Sequence, residues 1–197
     1  MTGRLNFLAD PGLAEAGARA EACLNQWLAA LDEADYGELI DPLARKVLHG
    51  AFQWVGADEG TVWLIDGGEE NLVAAYNSGP RADELTGHRQ PIGRGIVSLV
   101  FANERSYCEN EIAAREAHDD TVDRKLGTRT EAMLATPFYF ANALRGVISC
   151  VQLSREDGSA PPGFDTRHAE ELAATGAVLD RMITGRLLAA ALGLDHA

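Results

Sequence analysis

The sequence predicts an α+β fold, an antiparallel sheet with helices gathered on one face. Three observations lead there. Residues 13–31 and 38–55 carry apolar side chains at helical spacing. Two pairs of apolar, β-branched runs, 61–65 with 72–76 and 132–141 with 144–153, are each joined by a turn. A long helical stretch then follows Phe164. Helices, strand pair, strand, helix, polar segment, strand pair and helix lack the strict strand–helix alternation of a parallel sheet.

Taken in order, Asp10-Pro11-Gly12 is a turn or helix entry, and Ala20, Leu24, Trp27, Leu28 and Leu31 share one face of the helix behind it. Past the Asp35-Tyr36-Gly37 break, Ile40, Leu43, Val47, Leu48, Phe52 and Val55 form the stripe of a second helix, with Pro42 in its first turn. Asp66-Gly67-Gly68 turns the first strand pair into a hairpin. Residues 81–87 read as a polar connection, and residues 88–92, with Pro91, as a short edge strand. Residues 95–103 follow as a helix and 106–108 as a brief extended piece. Pro137 in the next strand calls for an edge or a bulge, and Asn142 is the turn residue of the closing hairpin. Asp165 is the N-cap of a helix that runs to about residue 191. The divisions expected are a helical extension over 1–37, the central domain over 38–164 and a C-terminal helix over 165–197.

The chain has 197 residues, enough to bury a sizeable core, and a net charge of −13 from 30 acidic and 17 basic residues. No Lys/Arg cluster offers a nucleic-acid footprint, and the acidity disfavours anionic lipid surfaces. Cys23, Cys108 and Cys150 are too few and too dispersed for a disulfide framework or a CxxC metal site. With no signal peptide and no run long enough to span a bilayer, the chain is expected to be cytoplasmic.

The expected site lies between residues 91 and 151. Gly93-Arg94-Gly95 opens a helix, residues 132–151 form the closing hairpin, and the polar stretch 109–130 between them has no sustained apolar face. A helix entry, a polar wall and a hairpin are the parts of a small-molecule pocket over a sheet. The candidate ligand contacts are Tyr76, Arg94, Ile96, Val97, Tyr107, Cys108, Asn110, His118, Asp119, Thr121 and Ser149. Arg94 suits an anionic group, or is a surface residue on a turn that needs its glycines for conformation. His118 and Asp119 suit ligand recognition better than a metal, since no second histidine stands at ligand spacing. Cys108 reads as a redox or ligand-attaching thiol, or as an inert half-buried one. There is no phosphate-binding loop, nucleophile elbow or metal motif, so no catalytic residue, metal or cofactor is assigned.

Four stretches resemble the GAF domain family: Asp58-Glu59-Gly60-Thr61-Val62-Trp63-Leu64, Gly93-Arg94-Gly95-Ile96-Val97, residues 106–111, and Met133-Leu134-Ala135-Thr136-Pro137-Phe138 with Gly146-Val147-Ile148. The resemblance implies a central antiparallel sheet related to that of PAS domains, a helix layer behind it, a ligand pocket on its other face, and frequent dimerisation through terminal helices. It does not fix the ligand. The cyclic-nucleotide signature is not recognisable between residues 109 and 130, and Ile96, Val97 and Ser98 stand where free-methionine-sulfoxide-reductase members carry a cysteine. The expected protein is thus a non-enzymatic small-molecule sensor, homodimeric through its terminal helices, signalling in trans to a partner protein. Two alternatives stay open. One is a thiol oxidoreductase of the sulfoxide-reductase kind using Cys108 and Cys150, and the other is a ligand-free scaffold.

Overall fold

The computed structural model describes residues 10–30, 32–112, 120–155 and 157–193. Helix α1 (Pro11–Ala30) leads, through a 3-10 turn capped by Asp32, into α2 (Tyr36–Leu39) and α3 (Pro42–Trp54). The single helix expected over 38–55 is therefore two. Ile40 leaves helical geometry, and Asp41 then starts α3 afresh by accepting the Ala44 N–H at 2.7 Å, with Pro42 in the first turn where its missing N–H costs nothing.

Strands β1 (Glu59–Ile65) and β2 (Asn71–Asn77) form the first hairpin. Asp66 holds its turn by accepting the Glu70 and Asn71 N–H groups and the Asn71 amide. The polar connection contains a short helix α4 (Ala82–Leu85), followed by the edge strand β3 (Arg89–Pro91) with its proline. Then come α5 (Gly95–Asn103), β4 (Tyr107–Glu109), α6 (Thr121–Leu126), β5 (Thr130–Phe140), β6 (Ala143–Leu153) and α7 (Thr166–Ala191). Among the described residues, six strands make one antiparallel sheet in the order β3-β2-β1-β6-β5-β4.

Local chemistry accounts for the closing hairpin. Ala141 and Asn142 both have positive φ, 50° and 59°, the two-residue turn that matches strand twist. Pro137 lies on β5 beyond the reach of the three-residue β4, which pairs only with Met133 to Ala135, so its missing N–H leaves no ladder bond unmade there. Asp165 caps α7 by accepting the His168 N–H at 3.1 Å, while His168 Nδ1 accepts the Asp165 N–H at 3.0 Å.

The sheet separates two apolar layers. Beneath one face lie the long helices α3 and α7, with α1 against α7; Ile40, Leu48, Phe52, Leu134, Phe138, Ile148, Leu172, Leu179 and Ile183 fill this side. Arg186 of α7 reaches back to pair with Asp41 and to donate to the Leu39 carbonyl. The helices are not confined to this face. The short α4, α5 and α6 cover the other, where Trp63, Leu72, Leu85, Ile96, Val100, Leu126 and Val147 form the second layer. Among the described residues no helix is long and apolar enough to cross a membrane.

Candidate functional site

Alternation along the strands sends every second side chain to the face under α4–α6. On β1 these are Glu59, Thr61 and Trp63, and on β6 they are Ser149, Val151 and Leu153, with Glu59 opposite Val151 and Thr61 opposite Ser149. Two bulges adjust the neighbouring strands. The register shift between Val62 and Trp63 pairs Val62 with Tyr76 but Trp63 with Ala74, which turns Tyr76 to the face of α3 and α7 and brings Asn77 to the other. The shift between Thr130 and Ala132 likewise brings Thr130 over the α6 side while Ala132 stays under the long helices.

These residues floor a hollow of about 80 Å³, roofed by Leu85 of α4, Gly95, Ile96 and Val97 of α5, and Val122, Asp123 and Leu126 of α6. Arg81 holds the roof helices together, donating to the Leu126 carbonyl while its guanidinium pairs with Glu84. Asp123 ties α6 to β5 by accepting the Thr130 N–H at 2.8 Å and hydroxyl at 2.7 Å. Below it, Trp63 Nε1 donates to Ser149 Oγ at 2.9 Å and Asn77 Nδ2 donates to Thr61 Oγ1 at 2.9 Å. Floor and roof are thus an apolar shell with a few fixed polar groups, the usual make-up of a small-molecule site.

Glu59 is the charged group of the floor. Only 7% of it is exposed, and burial pushes its carboxyl above the ordinary range. The Asn77 amide and the more distant Arg81 oppose that shift, whereas Asp58 and Asp123 add to it. Gly79 makes room for it, since a Cβ there would run into the Glu59 carboxylate.

Of the candidates read from the sequence, Ile96, Val97 and Ser149 line this hollow. Thr121 opens α6 at its rim, beside Val122 and Asp123. Tyr107 packs against the apolar layer on this side without lining the space. Arg94 is exposed at the N-cap of α5, where Gly93 and Gly95 on either side take φ of 87° and 72°. Tyr76 faces the long helices, beneath the Arg45 guanidinium. Asn110 is engaged with the Phe164 main chain. Cys108 pairs with Leu134 on the face of α3 and α7, so it too points away from the hollow. Burial raises its thiol pKa, and Asp165 and Glu109 add to that. His118 and Asp119 lie outside the described residues.

Glu59, Asn77, Trp63 and Asp123 were missed by sequence reasoning. A signal for the first existed, because Glu59, Thr61 and Trp63 alternate on a strand whose other positions are apolar, which sets a carboxylate on a face about to be covered. Among the described residues no three His, Cys, Asp or Glu side chains converge as a metal site.

Residues 40–179 match the sequence model of the GAF domain. No curated protein sequence matches the chain. Among solved structures it is similar to the free methionine-R-sulfoxide reductase of Neisseria meningitidis in complex with its substrate, at 18% identity over 92% of this chain and 96% of that one, TM-score 0.56. It is also similar to the GAF-B domain of DevS from Mycobacterium smegmatis, at 19% identity over 74% and 97%, TM-score 0.55. A third similar structure is the GAF domain of a phosphoenolpyruvate-protein phosphotransferase from Coxiella burnetii, at 16% identity over 83% and 99%, TM-score 0.58. At these identities the likeness is one of fold.

Proposed function

The chain belongs to the GAF domain family, and from that premise we propose that it is a small-molecule sensor whose ligand sits between the sheet and the roof helices α4–α6. The observation that carries this reading is the hollow itself, apolar around a small set of fixed polar groups. Its volume of about 80 Å³ suits a ligand of a few heavy atoms, well below the roughly 300 Å³ of drug-sized sites.

Strands β5 and β6 are the means of output. They carry Met133 and Ser149 on the ligand side and Leu134, Phe138 and Cys150 under α7 on the other, so a shift of the roof is felt by α7 through a close-packed layer. Helices α7 and α1 present Val178 and Trp27 to solvent, 45% and 42% exposed, and these helices form the surface through which the protein dimerises and acts on a signalling partner.

The reductase alternative draws no support from the thiols. Cys108, Leu134 and Cys150 form one cross-strand row on the face of α3 and α7. Two strand spacings of about 4.8 Å put the outer pair roughly 10 Å apart, beyond disulfide reach.

Native mass spectrometry of protein purified from its own host tests the sensor reading. A retained small molecule that leaves on gentle activation, and that raises Tm when added back, is the expected result. Protein that carries no added mass and that no metabolite fraction stabilises would sink it.

A further inference from the structure

We propose that the hollow takes a small organic cation, a protonated primary amine with a short apolar body, and that Glu59 is its counter-charge. The inference rests on the sensor reading and names the ligand class of the same site.

Three features carry it. Glu59 is more than nine-tenths buried, it lines the hollow, and among the described residues no cation lies within ion-pair distance of it. A buried carboxylate without a counter-ion is costly, and the chain accommodates it with Gly79, where any Cβ would collide with the carboxylate. Second, among the described residues the lining has no Lys, Arg or His; its other charged member there is Asp123, so this lining favours a positive guest and disfavours an anionic one. Third, Trp63, Leu85, Ile96, Leu126 and Met133 supply apolar walls, which a hydrated metal ion would not use, and the three-ligand cluster a metal needs is absent among the described residues. An ammonium offers three donors to one end of the hollow while its alkyl body meets the walls. The small free volume limits that body to a few carbons.

Charge at Glu59 ties binding to pH. Its carboxyl is raised by burial first and then by Asp58 and Asp123, against the Asn77 amide and Arg81. Protonation removes the counter-charge, so affinity for an amine falls as pH drops through this raised value.

The test compares butylammonium, 1-butanol and butyrate, three four-carbon probes of three charges, by thermal shift and calorimetry on the wild type and Glu59→Gln. The expected result is that butylammonium alone stabilises the wild type, that its affinity falls at least about tenfold in the near-isosteric E59Q, and that wild-type affinity weakens toward acid pH. The pH series on the wild type stands even if E59Q folds poorly. Stabilisation by butanol or butyrate in place of the amine overturns the cation inference and leaves the sensor reading intact. No shift with any probe overturns the inference as well, and the sensor reading is then decided by the retained-ligand experiment. Amine binding that E59Q and pH leave unchanged removes Glu59 from the role.

Discussion

The side-chain amide of Asn110 holds the main chain of Phe164 at both polar groups. Its Nδ2 donates to the Phe164 carbonyl at 3.0 Å, and its Oδ1 accepts the Phe164 N–H at 2.7 Å. This pins the entry of α7 to the end of β4, 54 residues earlier. Replacing Asn110 with alanine strands two main-chain groups beside the buried Phe164, at a cost of about 2 kcal/mol. Urea denaturation should show that loss, while the affinity of any ligand of the hollow stays unchanged. A change in affinity without a loss of stability would return Asn110 to the binding site.

Gly146 faces Leu64 across the β1–β6 ladder, and a Cβ at this position would strike the Trp63 carbonyl oxygen. Main chain in the middle of a sheet cannot move aside. Gly146→Ala is therefore expected to cost about 3 kcal/mol or more and to reduce soluble yield sharply. A variant as stable as the wild type in urea would show that the two strands do not approach this closely.

Ser149 is the hydrogen-bond acceptor for Trp63 Nε1 on the floor of the hollow. Ser149→Ala leaves the indole N–H with no protein partner in a largely apolar space. A loss of about 1 kcal/mol in urea denaturation is expected, with a change in the near-ultraviolet circular dichroism of the one buried tryptophan among the three. An unchanged spectrum would mean that the indole does not depend on Ser149.

Glu59 sets the sign of a pH effect. Its folded-state pKa is raised, so the folded protein binds this proton more tightly than the unfolded chain does. Its contribution is most favourable below the unfolded value and is lost as pH rises through the folded one. Glu59→Gln should therefore stabilise the unliganded protein at neutral pH by about 1 kcal/mol, or some 3 °C in Tm. The advantage should shrink as pH falls toward 4–5. A destabilised E59Q at neutral pH would mean that the carboxylate is well paired.

The thiols differ in environment. Cys150 is fully buried and burial drives its thiol pKa up, whereas Cys108 is exposed but also raised. A thiol reagent at pH 8 should label Cys108 slowly relative to a free cysteine and leave Cys150 untouched until denaturant is added. Mild oxidation should form no Cys108–Cys150 disulfide, as read by intact mass and by mobility on a non-reducing gel. Rapid formation of that bond would revive a thiol reaction.

Much of the architecture was legible because local rules and tertiary packing agree. Leu48, Phe52 and Val55 of the α3 stripe are buried, although Leu43 is 60% exposed, and the Asn142 turn, Pro91 on an edge strand and the Asp165 cap each follow from a residue's own conformational preference, which the structure bears out. The short helices were less legible. Four residues in α4 and six in α6 carry too little periodicity to register, and they exist because the sheet face beneath offers Leu85 and Leu126 a place to bury.

The fold class, the strand pairs and the glycine-flanked helix entry are written in the order of residues alone, since each of these rests on spacing within a few residues. Which side chains face the hollow depends instead on how the strands pair and what packs over them. Strand alternation assigns Tyr76 and Ala74 to one face, but a bulge opposite Val62 and Trp63 turns Tyr76 under the long helices and Asn77 into the hollow. A bulge is a property of two strands in register, so neither strand's sequence announces it. The same holds for Glu59, which becomes a buried charge only when α4–α6 close over it.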